Sequence, residues 1–194
     1  MPGGDRFEFR CWGDDLSAQR AALDGDWTFK GEEPSGETYL LGGADRFAVK
    51  IRDGRFEVKE KLRREGRLEL WRPVAGIAFP LSMDELAPWL EQAFGLSGEA
   101  TAGEQDLDAD ALADFLSRHR AGHAFPVEKS RRRYELAGVL AEHVVVRAAG
   151  RRLETVAVEG EEPTAVHTGM RLLRVEDQDN QAYPAKLLEL AKRA

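Results

Sequence analysis

The sequence has one cysteine, no long apolar run and no excess of basic residues, and each shortage closes off a class of protein. Cys11 alone cannot form an internal disulfide or build a zinc site, and it reads as a small buried hydrophobe rather than a nucleophile. No apolar stretch approaches the ~20 residues a membrane-spanning helix requires, so no membrane partner is expected. The 28 Lys and Arg are outnumbered by 35 Asp and Glu, for a net charge of -7. That balance argues against a binder of duplex nucleic acid, whose affinity comes largely from cations on phosphates. The opening Met-Pro-Gly-Gly-Asp-Arg lacks the basic-then-apolar pattern of a secretory signal, which makes a cytoplasmic location the default expectation. A Gly-rich phosphate loop, a Gly-x-Ser-x-Gly elbow and an internal repeat are also missing.

What is present is alternation. With 194 residues, 42% of them hydrophobic, the chain is long enough for one good core, and a single domain over 1–194 is expected. In Arg6-Phe7-Glu8-Phe9-Arg10-Cys11-Trp12, charged residues hold the even positions and apolar ones the odd, the period of a two-faced strand. The same period predicts strands at Thr38 to Leu41, Phe47 to Arg52, Arg55 to Leu62, Arg67 to Trp71, Val127 to Leu136, Val139 to Arg147 and Leu153 to Glu159. Pro73 to Phe79 reads as extended but broken by prolines. Asp53-Gly54 and Ala149-Gly150 supply turns, the first being a preferred two-residue hairpin pair. Helices are expected from Asp15 to Leu23, from the capping box at Ser82 to Gly95, from Asp108 to a stop at Gly122, after Pro163 and after Pro184. The span of about 82–122 thus forms a helical insertion, with residues 96–105 read as a mobile loop. Strands that follow one another without helices between them favour an antiparallel sheet or barrel, an α+β fold of about eight strands and five helices.

Charge recurs on one side of nearly every strand. Glu8 and Arg10, Lys50 and Arg52, Glu57 and Lys59, Glu69, then Lys129, Arg131 and Arg133, Glu142 and Glu159 occupy the polar faces. Phe7, Phe9, Val49, Ile51, Phe56 and Val58 occupy the opposite ones. Two architectures fit. An open sheet would solvate its charged face. A closed sheet with helices outside would turn its charges inward, as a polar tunnel in which charge must be paired or must hold a ligand.

The order of these motifs resembles the CYTH superfamily of triphosphate tunnel metalloenzymes, from Phe7 to Glu159. The residues that carry the likeness are Val49-Lys50-Ile51-Arg52, Phe56-Glu57-Val58-Lys59, Val127-Glu128-Lys129-Ser130-Arg131 and Val156-Ala157-Val158-Glu159-Gly160. The resemblance implies an eight-stranded antiparallel β-barrel with flanking helices, and a triphosphate or polyphosphate compound as its partner. It implies that Arg10, Lys50, Arg52, Lys59, Lys129, Arg131 and Arg133 grip phosphate, work suited to the forked Arg side chain. It further implies catalytic carboxylates at Glu8, Glu69, Glu142 and Glu159, with Glu8 and Glu159 holding Mg2+ or Mn2+. Two family positions depart from the pattern: Arg6 stands where the first Glu of the opening Glu-x-Glu-x-Lys strand belongs, and Ala157 replaces one acid of the closing Glu-x-Glu. The alternative is therefore a non-catalytic anion-binding or scaffold protein on the same fold.

The remaining motifs read as structural. Asp106 to Asp110 imitates the start of a calcium loop, but Ala111 and Ser117 fall where Gly and Glu are needed, so helix capping by Asp108 is the better reading. His119 and His123 have zinc-helix spacing without a third ligand. Lys129 to Arg133 lacks the interleaved aromatics of a nucleic-acid groove.

Overall fold

The computed structural model describes residues 4–42, 45–97 and 106–193. Eight strands close on themselves: β1 (Arg6–Gly13), β2 (Thr28–Gly42), β3 (Phe47–Arg52), β4 (Arg55–Glu65), β5 (Leu68–Ala78), β6 (Gly122–Leu136), β7 (Val139–Ala148) and β8 (Arg151–Gly160). Their order around the barrel is β1-β5-β4-β3-β2-β6-β7-β8, every neighbouring pair antiparallel. Five described helices flank it: α1 (Ser17–Asp26), α2 (Met83–Phe94), α3 (Ala109–Arg118), α4 (Pro163–Leu172) and α5 (Tyr183–Ala191). The expected α+β tunnel is the observed one, and the open-sheet alternative falls.

The hairpin turns form where the residues allow positive φ. Asp53 (51°) with Gly54 (67°) and Ala149 (49°) with Gly150 (70°) take two successive left-handed conformations, the geometry that matches the twist of antiparallel strands. Ser82 makes the expected capping box with Glu85, and Asp108 caps α3 through the Ala111 N–H. Four boundaries differ from the sequence reading. β2 begins at Thr28 rather than Thr38, because pairing with β6 from Thr28↔Glu135 to Gly42↔Gly122 carries it through Gly31, Pro34 and Gly36. β5 runs unbroken through Pro73, with a register shift on its partner β4 beside it. Gly122 opens β6, while α3 already ends at Arg118 with His119 as its cap. α1 is shifted to Ser17–Asp26. The loop expected at 96–105 lies outside the described residues from 98 onward.

The apolar parity faces helices as its spacing required. Phe7, Phe9, Val156 and Val158 pack with Leu23 of α1 and with Val166 and Met170 of α4. Val49, Phe56 and Val58 pack with Leu86 and Leu90 of α2 and with Leu112 and Phe115 of α3, with Ile51 against their edge. A third cluster lies on the inward parity. Leu41, Val127, Val144, Val146 and Leu153, in phase with the charged residues further along the same strands, surround Tyr183, Leu187 and Leu190 of α5. The C-terminal helix therefore fills one end of the barrel, and only the other end of the interior is polar. Among the described residues no helix is long and apolar enough to cross a membrane.

Candidate functional site: a blind, charged tunnel

The polar end holds a cavity of about 560 Å³ lined by eight Lys and Arg against five Glu. Strand parity delivers them. On β1, Glu8 and Arg10 point inward; on β3, Lys50 and Arg52; on β4, Glu57 and Lys59; on β6, Lys129, Arg131 and Arg133; on β7, Glu142; on β8, Glu159. Every phosphate-binding candidate named from the sequence thus lines one cavity, as do Glu8, Glu142 and Glu159. Glu69 does not. It pairs in register with Glu8, but its carboxylate accepts from Trp71 Nε1 at 3.2 Å and lies 3.5 Å from Lys61, outside the cavity lining.

Two carboxylates organise the cations. Glu37, whose side chain is 0% exposed, accepts from Lys129 Nζ at 2.6 Å and Lys50 Nζ at 3.2 Å through Oε2. Its Oε1 accepts from Arg131 Nη2 at 3.2 Å and lies 3.7 Å from Arg52. Burial works to raise this carboxyl, but Lys129 and Lys50 outweigh it and hold it down at about 2. Glu142 accepts from Arg10 Nη2 at 2.8 Å and lies 3.2 Å from Arg131 Nε. Burial is again overcome, by Arg10 and Arg131, leaving Glu142 at about 2. Lys129 shows the opposite balance. Burial lowers its ammonium to about 7 in spite of Glu37, with Lys50 adding to the loss and Glu142 opposing it.

The floor of the cavity is aromatic. Tyr39 and Tyr183 stack at 5.4 Å, and Lys129 Nζ donates to Tyr39 Oη at 3.0 Å while lying 3.7 Å from the Tyr183 ring centre. The Arg10 guanidinium covers the same ring at 4.6 Å. Cations thus cover the tyrosine rings on the polar side, so the floor presents charge rather than a stacking surface. The Tyr183 hydroxyl is buried and has no hydrogen-bond partner among the described residues, a donor held ready at the edge of the cavity.

Glu8 and Glu159 face each other across the β1–β8 pairing. Burial first, and Glu8 second, push the Glu159 carboxyl above its ordinary range. Glu8 is tied to Arg10 at 3.1 Å and lies 3.8 Å from Lys59, whereas among the described residues Glu159 has only Arg6 within 4 Å, at 3.9 Å, with Lys59 acting on it from further off. Two close carboxylates, one of them poorly compensated, are a donor set that suits a divalent cation completed by phosphate oxygens and water, the usual habit of Mg2+. A closed metal cage is not built: among the described residues no three His, Cys, Asp or Glu converge on one point.

Sequence reasoning missed Glu37, Tyr39 and Tyr183. For the first two the signal existed, since Glu33, Ser35, Glu37, Tyr39 and Leu41 alternate. Pro34 and Gly36 masked it.

A closed eight-stranded antiparallel barrel, with charges inside one end and four of the five described helices outside, is the fold that the triphosphate-tunnel, or CYTH, resemblance implied. Solved structures agree. The PH1012 protein from Pyrococcus horikoshii superposes with a TM-score of 0.56 at 16% identity over 95% of this chain and 98% of its own. A conserved protein from Pyrococcus furiosus gives 0.54 at 16% identity over 91% and 98%. HpAC1 from Hippeastrum, described as an adenylyl cyclase with a dominant triphosphatase activity, gives 0.53 at 13% identity over 95% of both chains. By sequence alone, no protein-family model and no curated protein matches.

Proposed function

We propose that the tunnel binds a compound carrying a triphosphate or longer polyphosphate and hydrolyses its terminal phosphoanhydride. The observation that carries this reading is the convergence of Arg10, Lys50, Arg52, Lys129 and Arg131, from three separate strands, on one blind cavity. Isolated cations do not survive burial; these are held in place by Glu37 and Glu142 until an entering anion takes over part of that pairing. The half-exposed Lys30 and Arg133 also line the cavity and would meet the phosphate chain on its way in. Because cations cover the floor, the phosphate end enters first and the organic part stays outside.

In hydrolysis, a water oxygen bonds the terminal phosphorus and gives up its proton to solvent, and the bridging oxygen leaves with the electron pair of the broken P–O bond. Arg10, Arg131 and Lys129 stabilise the charge that gathers on the phosphoryl oxygens. Glu8 and Glu159 would hold Mg2+ or Mn2+, which supplies charge neutralisation and a more acidic water. The HpAC1 likeness supports the fold, and its triphosphatase activity agrees with this reading. One observation favours the non-catalytic alternative: Arg6 already sits 3.9 Å from Glu159, where a metal would otherwise find a free carboxylate.

Phosphate release from tripolyphosphate, ATP and thiamine triphosphate, with Mg2+, with Mn2+ and with EDTA, tests the proposal. Metal-dependent release that Glu159→Gln abolishes, while binding persists, is the expected result. Binding without release under all three conditions leaves the anion-binding reading standing instead.

A further inference from the structure

Glu37 lies behind the cations rather than in the cavity: Lys50, Arg52, Lys129 and Arg131 line the space, and Glu37 does not. It comes from β2, which sits between the strands that carry those four, β3 and β6. One fully buried carboxylate is thus shared by four cations drawn from both sides. We infer that Glu37 is a built-in competing anion that keeps single phosphates out of the tunnel and leaves it to polyphosphates; this rests on the triphosphate reading above.

The argument is one of competition for the same N–H groups. A phosphate entering the cavity must draw Lys129, Lys50, Arg131 and Arg52 away from a carboxylate that is already desolvated and already bonded to them. The penalty is common to every phosphate ligand, but its consequence is not. Orthophosphate has only those contacts to offset it. A polyphosphate also reaches Arg10, Lys59 and Arg133, whose carboxylate partners are others: Glu8 and Glu142 for Arg10, Glu8 for Lys59 and Glu33 for Arg133. A tunnel built this way is not clogged by the orthophosphate that hydrolysis releases.

Calorimetric titration of the intact protein with orthophosphate and with tripolyphosphate, in EDTA at pH 6.0 so that Lys129 keeps its proton more fully, tests the inference. The unmodified protein should bind tripolyphosphate and leave 10 mM orthophosphate unbound. Glu37→Gln should bind both at least tenfold more tightly. If that variant does not fold without ligand, Glu37→Asp, which keeps the charge but draws it back from Lys129 and Arg131, should show a smaller gain. A folded variant of either kind with unchanged or weaker orthophosphate affinity overturns the inference and leaves Glu37 a structural ion-pair partner. Failure of the unmodified protein to bind tripolyphosphate sinks the function reading itself, a separate outcome.

Discussion

Glu37, Glu142 and Lys129 are buried charged groups whose folded-state pKa values all lie below their ordinary ones, so each makes stability rise with pH, in two separate windows. The two carboxyls sit at about 2 in the folded chain against an ordinary 4.5. Their contribution is complete above pH 4.5 and is lost as pH falls from there towards 2, which a urea midpoint followed across that range should show as a steep decline. Lys129 sits at about 7 against 10.5, so between these values the unfolded chain binds a proton that the folded chain does not. Stability should therefore rise with pH from 7 to 9, before Cys11, raised by burial to about 11 from 9.0, begins to reverse it. Lys129→Met should flatten that rise, and a midpoint just as pH-dependent in the variant would refute the assignment. For binding, Arg131→Ala removes a guanidinium shared by Glu37 and Glu142 and should weaken tripolyphosphate by about ten- to a hundred-fold, the worth of one charged hydrogen-bonding contact. The inward cations were legible because a strand's period of two needs no tertiary knowledge. Glu37 was not, because its strand is held by a partner nearly a hundred residues away, as the Glu37–Lys129 separation of 92 shows, and not by its own propensity.

At the scale of elements, the barrel closes only where backbones come very near each other and where α5 fills the interior. β2 ends at Gly42 and β6 begins at the opposite Gly122, with Phe94 of α2 lying across both. A Cβ on Gly42 would fall 2.6 Å from the Phe94 ring and closer still to the Ala121 carbonyl oxygen, which as backbone cannot swing away. Gly42→Ala should cost about 1–3 kcal/mol of unfolding free energy, read from the urea midpoint. Leu187 of α5 is fully buried among the inward residues, so Leu187→Ala should cost about 2–5 kcal/mol, whereas Leu172→Ala, at a 42% exposed position, should stay within about 0.5 kcal/mol. Equal losses for the two leucines would show that α5 does not pack inside the barrel. The sequence pattern identified α5 as an amphipathic helix after Pro184 but not its place, because Leu187 and Leu190 have the same spacing whether a helix covers a sheet from outside or enters the barrel. For the same reason the inward valines of β6 and β7 read as ordinary strand residues, and nothing in the pattern marks which end of the tunnel is apolar.

The whole molecule separates its charge: the chain carries a net -7, yet the cavity is lined by more cations than carboxylates. The excess of acid is therefore outside, where a Debye length of about 8 Å at physiological salt screens it from a ligand at the tunnel mouth. A polyanion then meets a local positive field on an acidic protein, and ligand binding should appear as stabilisation of the closed barrel. At a concentration a hundred times the dissociation constant, tripolyphosphate adds about 2.7 kcal/mol, which for a chain of this size is a rise in melting temperature of roughly 5–10 °C. Orthophosphate at equal ionic strength should give less, and raising NaCl from 0.05 to 0.5 M should shrink the tripolyphosphate shift, since added salt screens the attraction at the mouth more than the contacts deep inside. Lys59→Ala and Arg133→Ala, both about half-exposed on the cavity lining, should lower the salt dependence more than Arg131→Ala does, because Arg131 is buried deeper. A shift that survives loss of all three cations would place the anion on the outer surface and not in the tunnel, and one that ignores salt would refute the attraction at the mouth.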